Sequence, residues 1–560
     1  MISVPLFLQK GTVFALSTIK TTVMKLFQYI SILFLGFSLS TNAQFINKQK
    51  NIVDVQEYKF TIGINDDSNE IAVAANIKLQ ILQKTDSIYL DLDKLDTSGK
   101  GMKLYACKVN QKEVKNYKFL HDKIIFYHTQ DWHHKTIEIE IQYKGIPKDG
   151  LYISKNKYGK RTFFGDNWPN RAHYWLPVID HPSDKAKVKF TILAPKHYKV
   201  VATGSLDGKD ESKNLSIWYF HSTIPISTKV MVFAAADFKI KEFGDIQLSE
   251  KSIPISSWIY KESPDEGFDD YRCAVPVTKF YDSLIGPYSY EKLANVQSKT
   301  RFGGMENAGN IFYYEASVDG KKGVENLVAH EIAHQWFGNS VSEQEWSDIW
   351  LSEGFATYLT DVYLEHKYGK QRLKERMEME RKKVIRFNKY NAKPIVYEEK
   401  NNLMRLLNPN SYEKGAWVLH MLRRETGDKD FFKILRAFYK KYRNSNASTS
   451  DFINIVNKIT QKDYHSFFKQ WLKNAGVPKL KMAYHIDNNK LIINVTQLND
   501  DIYKLKMPVK IVSDNFSQQF TLDIHQKQQQ FILKLLPRAI NKNAQVIFDP
   551  EVQVLFELVD

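Results

Sequence analysis

The sequence predicts a multidomain chain: an N-terminal antiparallel β domain, a mixed α+β domain, and a short C-terminal β domain of sandwich type. Three observations predict it. A chain of 560 residues exceeds what one hydrophobic core supports. Apolar–polar alternation of period two fills residues 44–244, gives way to helical spacing over 245–477, and returns over 478–560. No long helical stretch follows Gly476-Val477-Pro478, so a large helical C-terminal domain is not expected.

Residues 1–43 read as an upstream extension plus an export signal, with Met24 the more natural start. Lys25 precedes an apolar run from Leu26 to Leu39, and Thr41 and Ala43 take the −3 and −1 positions of a cleavage site. The run is short for a membrane span, and no cysteine follows it to carry a lipid. The expectation is export to the periplasm, cell surface or medium after cleavage near Ala43. No transmembrane segment is expected in the mature chain.

From Gln44 to Gly244 come IAVAANIKLQILQ, SIYLDLDKL, TIEIEIQYKG, AKVKFTILAP and VMVFAAADFKIKEF. In each, β-branched and aromatic residues alternate with polar ones, as in strands buried on one face. The period changes near residue 265, where EGFDDYRCAVPVTKFYDSLIG has helical spacing. Short strands follow in LANVQSK and NIFYYEA, then helices over 324–337, 349–366 and 370–387 and several between Tyr412 and Lys473. After Pro478, Asp487-Asn488-Asn489 marks a hairpin turn.

Composition excludes several classes. The apolar share of 43% and charged share of 25% are those of a globular protein. The net charge of +16 is spread along the chain with no compact Lys/Arg block, so no nucleic-acid partner is expected. Cys107 and Cys273 are the two cysteines, too few for a disulfide framework or a cysteine zinc site. They are read as buried thiols.

The chemistry sits in HEIAHQWFGN, residues 330–339. On a helix His330 and His334 share a face and can point both imidazoles at one ion. Glu331 lies about 100° round the helix, placed to reach a water without being a ligand. Zinc is the usual ion for two histidines and a carboxylate. A third histidine at 340 is excluded, because Ser340 stands there. The carboxylate is instead Glu353 of WLSEGFA, with 18 residues between it and His334. Trp336, Phe337, Trp350 and Phe355 are expected to pack the two helices together. Upstream, Gly303-Gly304-Met305-Glu306-Asn307 offers a strand that can approach a ligand closely, with an acid beside it.

GGMEN, HEIAHQWFGN, WLSEGFA and SYEKGAWVL, in this order and spacing, resemble the M1 family of zinc aminopeptidases. The stretch DNWPNRAHYWLPVIDHPSDKAKVKFTI resembles that family too. The resemblance implies a saddle-like β domain followed by a thermolysin-like catalytic domain. It makes His330, His334 and Glu353 the ligands of one Zn2+ and Glu331 the general base. Glu306 would bind the substrate's free α-amine, with Gly303, Gly304, Met305 and Asn307 beside it holding the peptide backbone. Tyr412 would donate a hydrogen bond to the oxyanion. The implied partners are peptides with a free N-terminus.

Three departures stand out. Much of the family has a Gln or Glu in the β domain that assists the amine; here Asp166 or Asn167 would substitute, with Asp166 favoured by counting back from Pro177. The chain has a short β domain where larger members have a helical one, so a more open cleft is expected. Gly304 stands where the family more commonly has Ala, with little expected effect. Two other readings keep the metal helix: a zinc endopeptidase without a strict amine anchor, and an inactive peptide-binding module.

Overall fold

The computed structural model describes residues 52–120, 122–127, 132–513, 516–537 and 544–560. The export signal expected within residues 1–43 lies outside them. Among the described residues no helix is long and apolar enough to cross a membrane.

The N-terminal unit is a nine-stranded sheet flanked by smaller ones. Its alternation is clean: in Ile71–Ile81 every second residue from Ile71 onward is buried. One expectation is corrected here. The sheet is not purely antiparallel, because Val53–Gly63 runs parallel to Lys185–Pro195, with Glu57 opposite Lys187 and Gly63 opposite Leu193. Alternation fixes which face of a strand is buried, not its direction. These two strands are far apart in sequence, so no hairpin dictates an antiparallel pairing. A four-stranded sheet containing Arg161–Gly165 delivers Asp166 and Asn167 to the boundary with the next unit.

The second unit opens with a five-stranded sheet in the order Phe238–Gln247, Ser252–Tyr260, Leu293–Ser298, Asn310–Tyr314, Gly304–Met305. Residue 244, read as the end of the first domain, falls inside the first of these strands. Gly244 (φ 88) sits in a register shift between Glu242 and Asp245 and is a bulge. A bulge and a chain joint leave the same mark in a sequence, and the pairing moves the crossing to about Phe238.

Helices then build the layer beside this sheet: α1 (Pro264–Asp270), α2 (Ala274–Ile285), α3 (Glu325–His334), α4 (Trp350–Tyr368), α5 (Lys370–Asn388), α6 (Gly415–Tyr442) and α7 (Thr449–Thr460). Helix α4 is the centre, with every residue from Trp350 to Leu364 buried. Such a helix is surrounded by other elements on all sides, and α3, α5 and α6 all pack on it. Phe337 packs at a tilt against Phe355 with centroids 4.8 Å apart, and Trp350 against Phe355 at 5.7 Å, so three of the four expected aromatics join α3 to α4. Trp336 turns the other way, against Tyr281 and Tyr288, and donates its indole N–H to Gly286 O.

The C-terminal unit is two small sheets of four and three strands. Lys479–Asp487 and Lys490–Gln497 meet at Asn488 (φ 44) and Asn489 (φ 65), the left-handed pair a two-residue hairpin turn requires. The unit docks on α6, where His420 donates from Nε2 to Val552 O at 3.0 Å, and on α5, where Arg381 pairs with Asp549. Both cysteines are free thiols, Cys107 buried and Cys273 partly so.

Candidate metal centre and active site

Helix α3 carries His330, Glu331 and His334; the first turn of α4 carries Glu353. The helix spacing expected from sequence places both imidazoles together: the Nε2 atoms lie 3.1 Å apart. Glu353 Oε2 is 3.2 Å from His334 Nε2 and 3.6 Å from His330 Nε2. These three residues are the one group of ligand-type side chains among the described residues close enough to share an ion.

The local chemistry fits a divalent cation. Glu353 Oε2 is buried and has no hydrogen-bond partner of its own. His334 Nδ1 lies 3.2 Å from Phe337 O, a group that can only accept, so Nδ1 keeps its proton when the ring is neutral and Nε2 is the nitrogen that can turn a lone pair to an ion. Ser352 Oγ, 3.0 Å away, braces the same nitrogen. Glu353 holds the His334 imidazole well protonated, at a pKa of about 9, against the opposing effect of burial. A positive charge is therefore favoured at this point, and a metal ion would supply it.

Glu331 lies beside this triad, buried. Burial, reinforced by the charges of Glu306 and Glu353, pushes its carboxyl upward, while His334 opposes. Its neighbour is the edge strand Gly304–Met305, which pairs antiparallel with Tyr313 and Phe312. A Cβ at position 304 would fall 2.4 Å from Glu331 Oε1 and 2.5 Å from its Cγ and Cδ. A side chain at position 304 would therefore require the Glu331 carboxylate to shift. Gly303 O accepts from Tyr314 N, closing the strand's other end.

Glu306 follows that strand, 5% exposed, and its Oε1 has no partner. Burial raises its pKa and Glu353 adds to this; His334 and Lys229 pull the other way. Lys229 is the β domain's contribution: its Nζ meets both Glu343 oxygens at 2.7 and 2.8 Å, and both side chains are fully buried. Asn307 is buried with neither side-chain atom paired.

The expected β-domain assistants are not free. Asp166 is wholly buried, pairs with Arg171, and accepts from Thr300 Oγ1 and Arg301 N at 3.2 Å each. Asn167 donates to Thr228 O and Met231 O and accepts from the Trp175 indole at 2.8 Å. Both knit the domain junction, and neither has an atom to spare for an amine. A sequence shows that a polar residue is present, not that its neighbours have already used it.

Tyr412 comes from a π-helical turn, Asn410–Lys414, at the entrance to α6. Its ring lies parallel to His330 at 13°, with centroids 6.0 Å apart. Burial, followed by the charge of Glu353, raises its pKa, keeping a proton to donate. The turn reaches the site because α4 and α6 touch through two glycines. A Cβ on Gly354 would lie 2.9 Å from Gly415 Cα and 3.2 Å from Ser411 O. Sequence reading passed over Ser352, Gln335 and Asn339. The last two bond the Glu306 carbonyl, and their place inside the metal-helix stretch was the available signal.

The family model described as the peptidase family M1 domain matches residues 274–471, and that of the peptidase M1 N-terminal domain matches 55–230. The chain is 27% identical over 452 residues to probable aminopeptidase 2 of Sulfurisphaera tokodaii, covering 77% of this chain and 56% of that one. It is 24% identical to leucyl aminopeptidase of Saccharolobus solfataricus, covering 73% and 54%. It is 26% identical to glutamyl aminopeptidase of Sus scrofa, covering 71% and 44%. The chain spans about half the length of the curated relatives it matches. In fold it is similar to the crystal structure of the M1 zinc metallopeptidase from Deinococcus radiodurans, with a TM-score of 0.66 at 22% identity, covering 76% of this chain and 95% of that one.

Proposed function

The chain belongs to the M1 family of peptidases, and from that premise we propose that it is a zinc-dependent aminopeptidase removing the first residue of peptides with a free N-terminus. The observation that carries the reading is the convergence of His330, His334 and Glu353 on one point, with Glu331 beside it and the unpartnered Glu306 carboxylate on the adjoining strand. The names of the curated relatives support it.

His330, His334 and Glu353 would hold one ion. A zinc ion so bound supplies Lewis acidity that polarises a carbonyl and lowers the pKa of water. Glu331 accepts a proton from the attacking water and returns it to the departing amine. The Tyr412 phenol donates to the oxyanion that forms on the first peptide carbonyl. Glu306 accepts the hydrogen bonds of the substrate's α-ammonium and so fixes which peptide bond meets Glu331. Buried, it makes a stronger charge pair than it would in water.

A time course on a ten-residue peptide, followed by mass spectrometry, tests the reading. Fragments shortened one residue at a time from the N-terminus are expected; internal cleavage products would overturn it. Residues 24–43 support a further reading, that the protein is exported. N-terminal sequencing of the mature protein then begins at Gln44, and recovery of residues 24–43 in the mature chain would reject export by this signal.

A further inference from the structure

The carboxylate of Glu306 has an unpartnered oxygen, yet its main chain is tied down tightly. Its carbonyl oxygen accepts from Gln335 Nε2 at 2.8 Å and from Asn339 Nδ2 at 2.6 Å. Both lone pairs are thereby used. Gln335 Oε1 in turn accepts from Gly309 N at 3.0 Å, so one glutamine grips both ends of the segment 306–309. Gln335 and Asn339 are buried. Gln335 adjoins His334 in the chain, and Asn339 N donates to His334 O at 3.0 Å. From the Glu306 carbonyl to the backbone of a metal-ligand residue there are only two hydrogen bonds.

Satisfying a buried carbonyl is the ordinary reason for such bonds, and one donor would suffice. Two donors flanking the C-terminal end of the metal helix do more. They fix the anchor loop in register with the helix that carries His330, Glu331 and His334. The loop's other main-chain hydrogen bonds run elsewhere, Ala308 N to Val230 O in the β domain and Ala294 N to Gly309 O in the five-stranded sheet.

We propose that Gln335 and Asn339 are positioning residues that set the spacing between the amine anchor Glu306 and the metal-ligand helix, and thereby confine cleavage to the first peptide bond. The proposal rests on the reading of Glu306 as the amine anchor. Gln335→Glu and Asn339→Asp each replace one donor amide with an isosteric group whose oxygen faces the Glu306 carbonyl. The holoenzyme is titrated with two metal-binding probes, leucine hydroxamate, which carries a free amine, and its N-acetyl form, which does not.

In the wild type the free-amine probe binds more tightly. In each variant zinc content and the Kd of the acetylated probe hold, while the Kd of leucine hydroxamate rises about tenfold, the worth of one such hydrogen bond. The preference for free over acetylated peptide, measured as kcat/KM, falls in step. Loss of both probes in parallel, or of neither, in a variant that keeps its zinc would overturn the positioning role. Equal binding of the two probes by the wild type would instead overturn the amine reading, and the positioning role with it. Each donor is removed separately, and Gln335→Met, apolar and of similar length, gives the same readout should Gln335→Glu not fold.

Discussion

Replacing Gly354 with alanine should cripple turnover without touching a ligand. The added Cβ lies 2.9 Å from Gly415 Cα, 3.0 Å from Gly415 C and 3.2 Å from Ser411 O. Carbon atoms in ordinary contact sit about 3.5–4.0 Å apart. Every atom it meets is backbone, so no side chain can rotate away, and α4 and α6 must separate by roughly 0.5–1 Å to restore that contact. Tyr412 rides on the turn that yields, Asn410–Lys414. A displacement of about 1 Å at a reacting group costs on the order of 10² in rate, and the overpacking itself costs about 1–3 kcal/mol of stability. The assay is steady-state kinetics on a free tripeptide, with zinc content and the thermal midpoint measured on the same preparation. The expected result is full zinc, a modestly lowered midpoint, and kcat down about a hundredfold, close to the roughly 10²–10³ expected for Tyr412→Phe. Adding Tyr412→Phe to Gly354→Ala should then lose little more, because the donor is already out of place. Wild-type kcat in the Gly354→Ala protein, or fully multiplicative losses in the double variant, would refute the argument that the glycine contact places the tyrosine.

Three further outcomes follow from the same geometry. Glu331→Gln keeps zinc but lowers kcat by at least about 10²–10⁴; substantial residual turnover at full zinc occupancy would remove Glu331 from the base role. Lys229→Met leaves the Glu343 carboxylate buried without its partner, which costs about 3–5 kcal/mol, whereas pairing it with Glu343→Leu restores most of the unfolding midpoint; equal loss in the single and double variants would show that the buried pair is not coupled. His420 is held neutral by burial, donating to Val552 O and accepting from Tyr358, with a folded pKa lowered to about 3. Its folded value lies below the unfolded one of about 6.5, so its contribution is complete above pH 6.5. That contribution is lost as pH falls toward 3, about 5 kcal/mol in total. His420→Gln should flatten the fall in unfolding midpoint over that window, and an unchanged acid profile would contradict it.

Much of the site could be read in advance, for a definite reason. Helical period puts His330 and His334 on one face whatever the rest of the fold does, and the triad forms as spacing implies. Alternation marked the strands, because a half-buried strand has to alternate. What escaped depends on pairing between distant segments. Strand direction at Val53–Gly63 and the contact of Gly354 with Gly415 are set by partners far along the chain. Asp166 is the sharpest case. Its identity suited the amine site, but Arg171, Thr300 and the Arg301 amide already hold it. Gln335 and Asn339 were passed over for the converse reason: two plain amides gain a role only once the Glu306 carbonyl arrives between them.

The measurement closest to the centre of the account is hydrolysis of one short peptide offered with its N-terminus free and acetylated, each with and without a zinc chelator. Cleavage of the free peptide alone, abolished by the chelator and restored by added zinc, is the expected result and joins the triad to the Glu306 anchor in one experiment. Equal cleavage of both forms would contradict the amine anchor, and cleavage untouched by the chelator would contradict the metal centre.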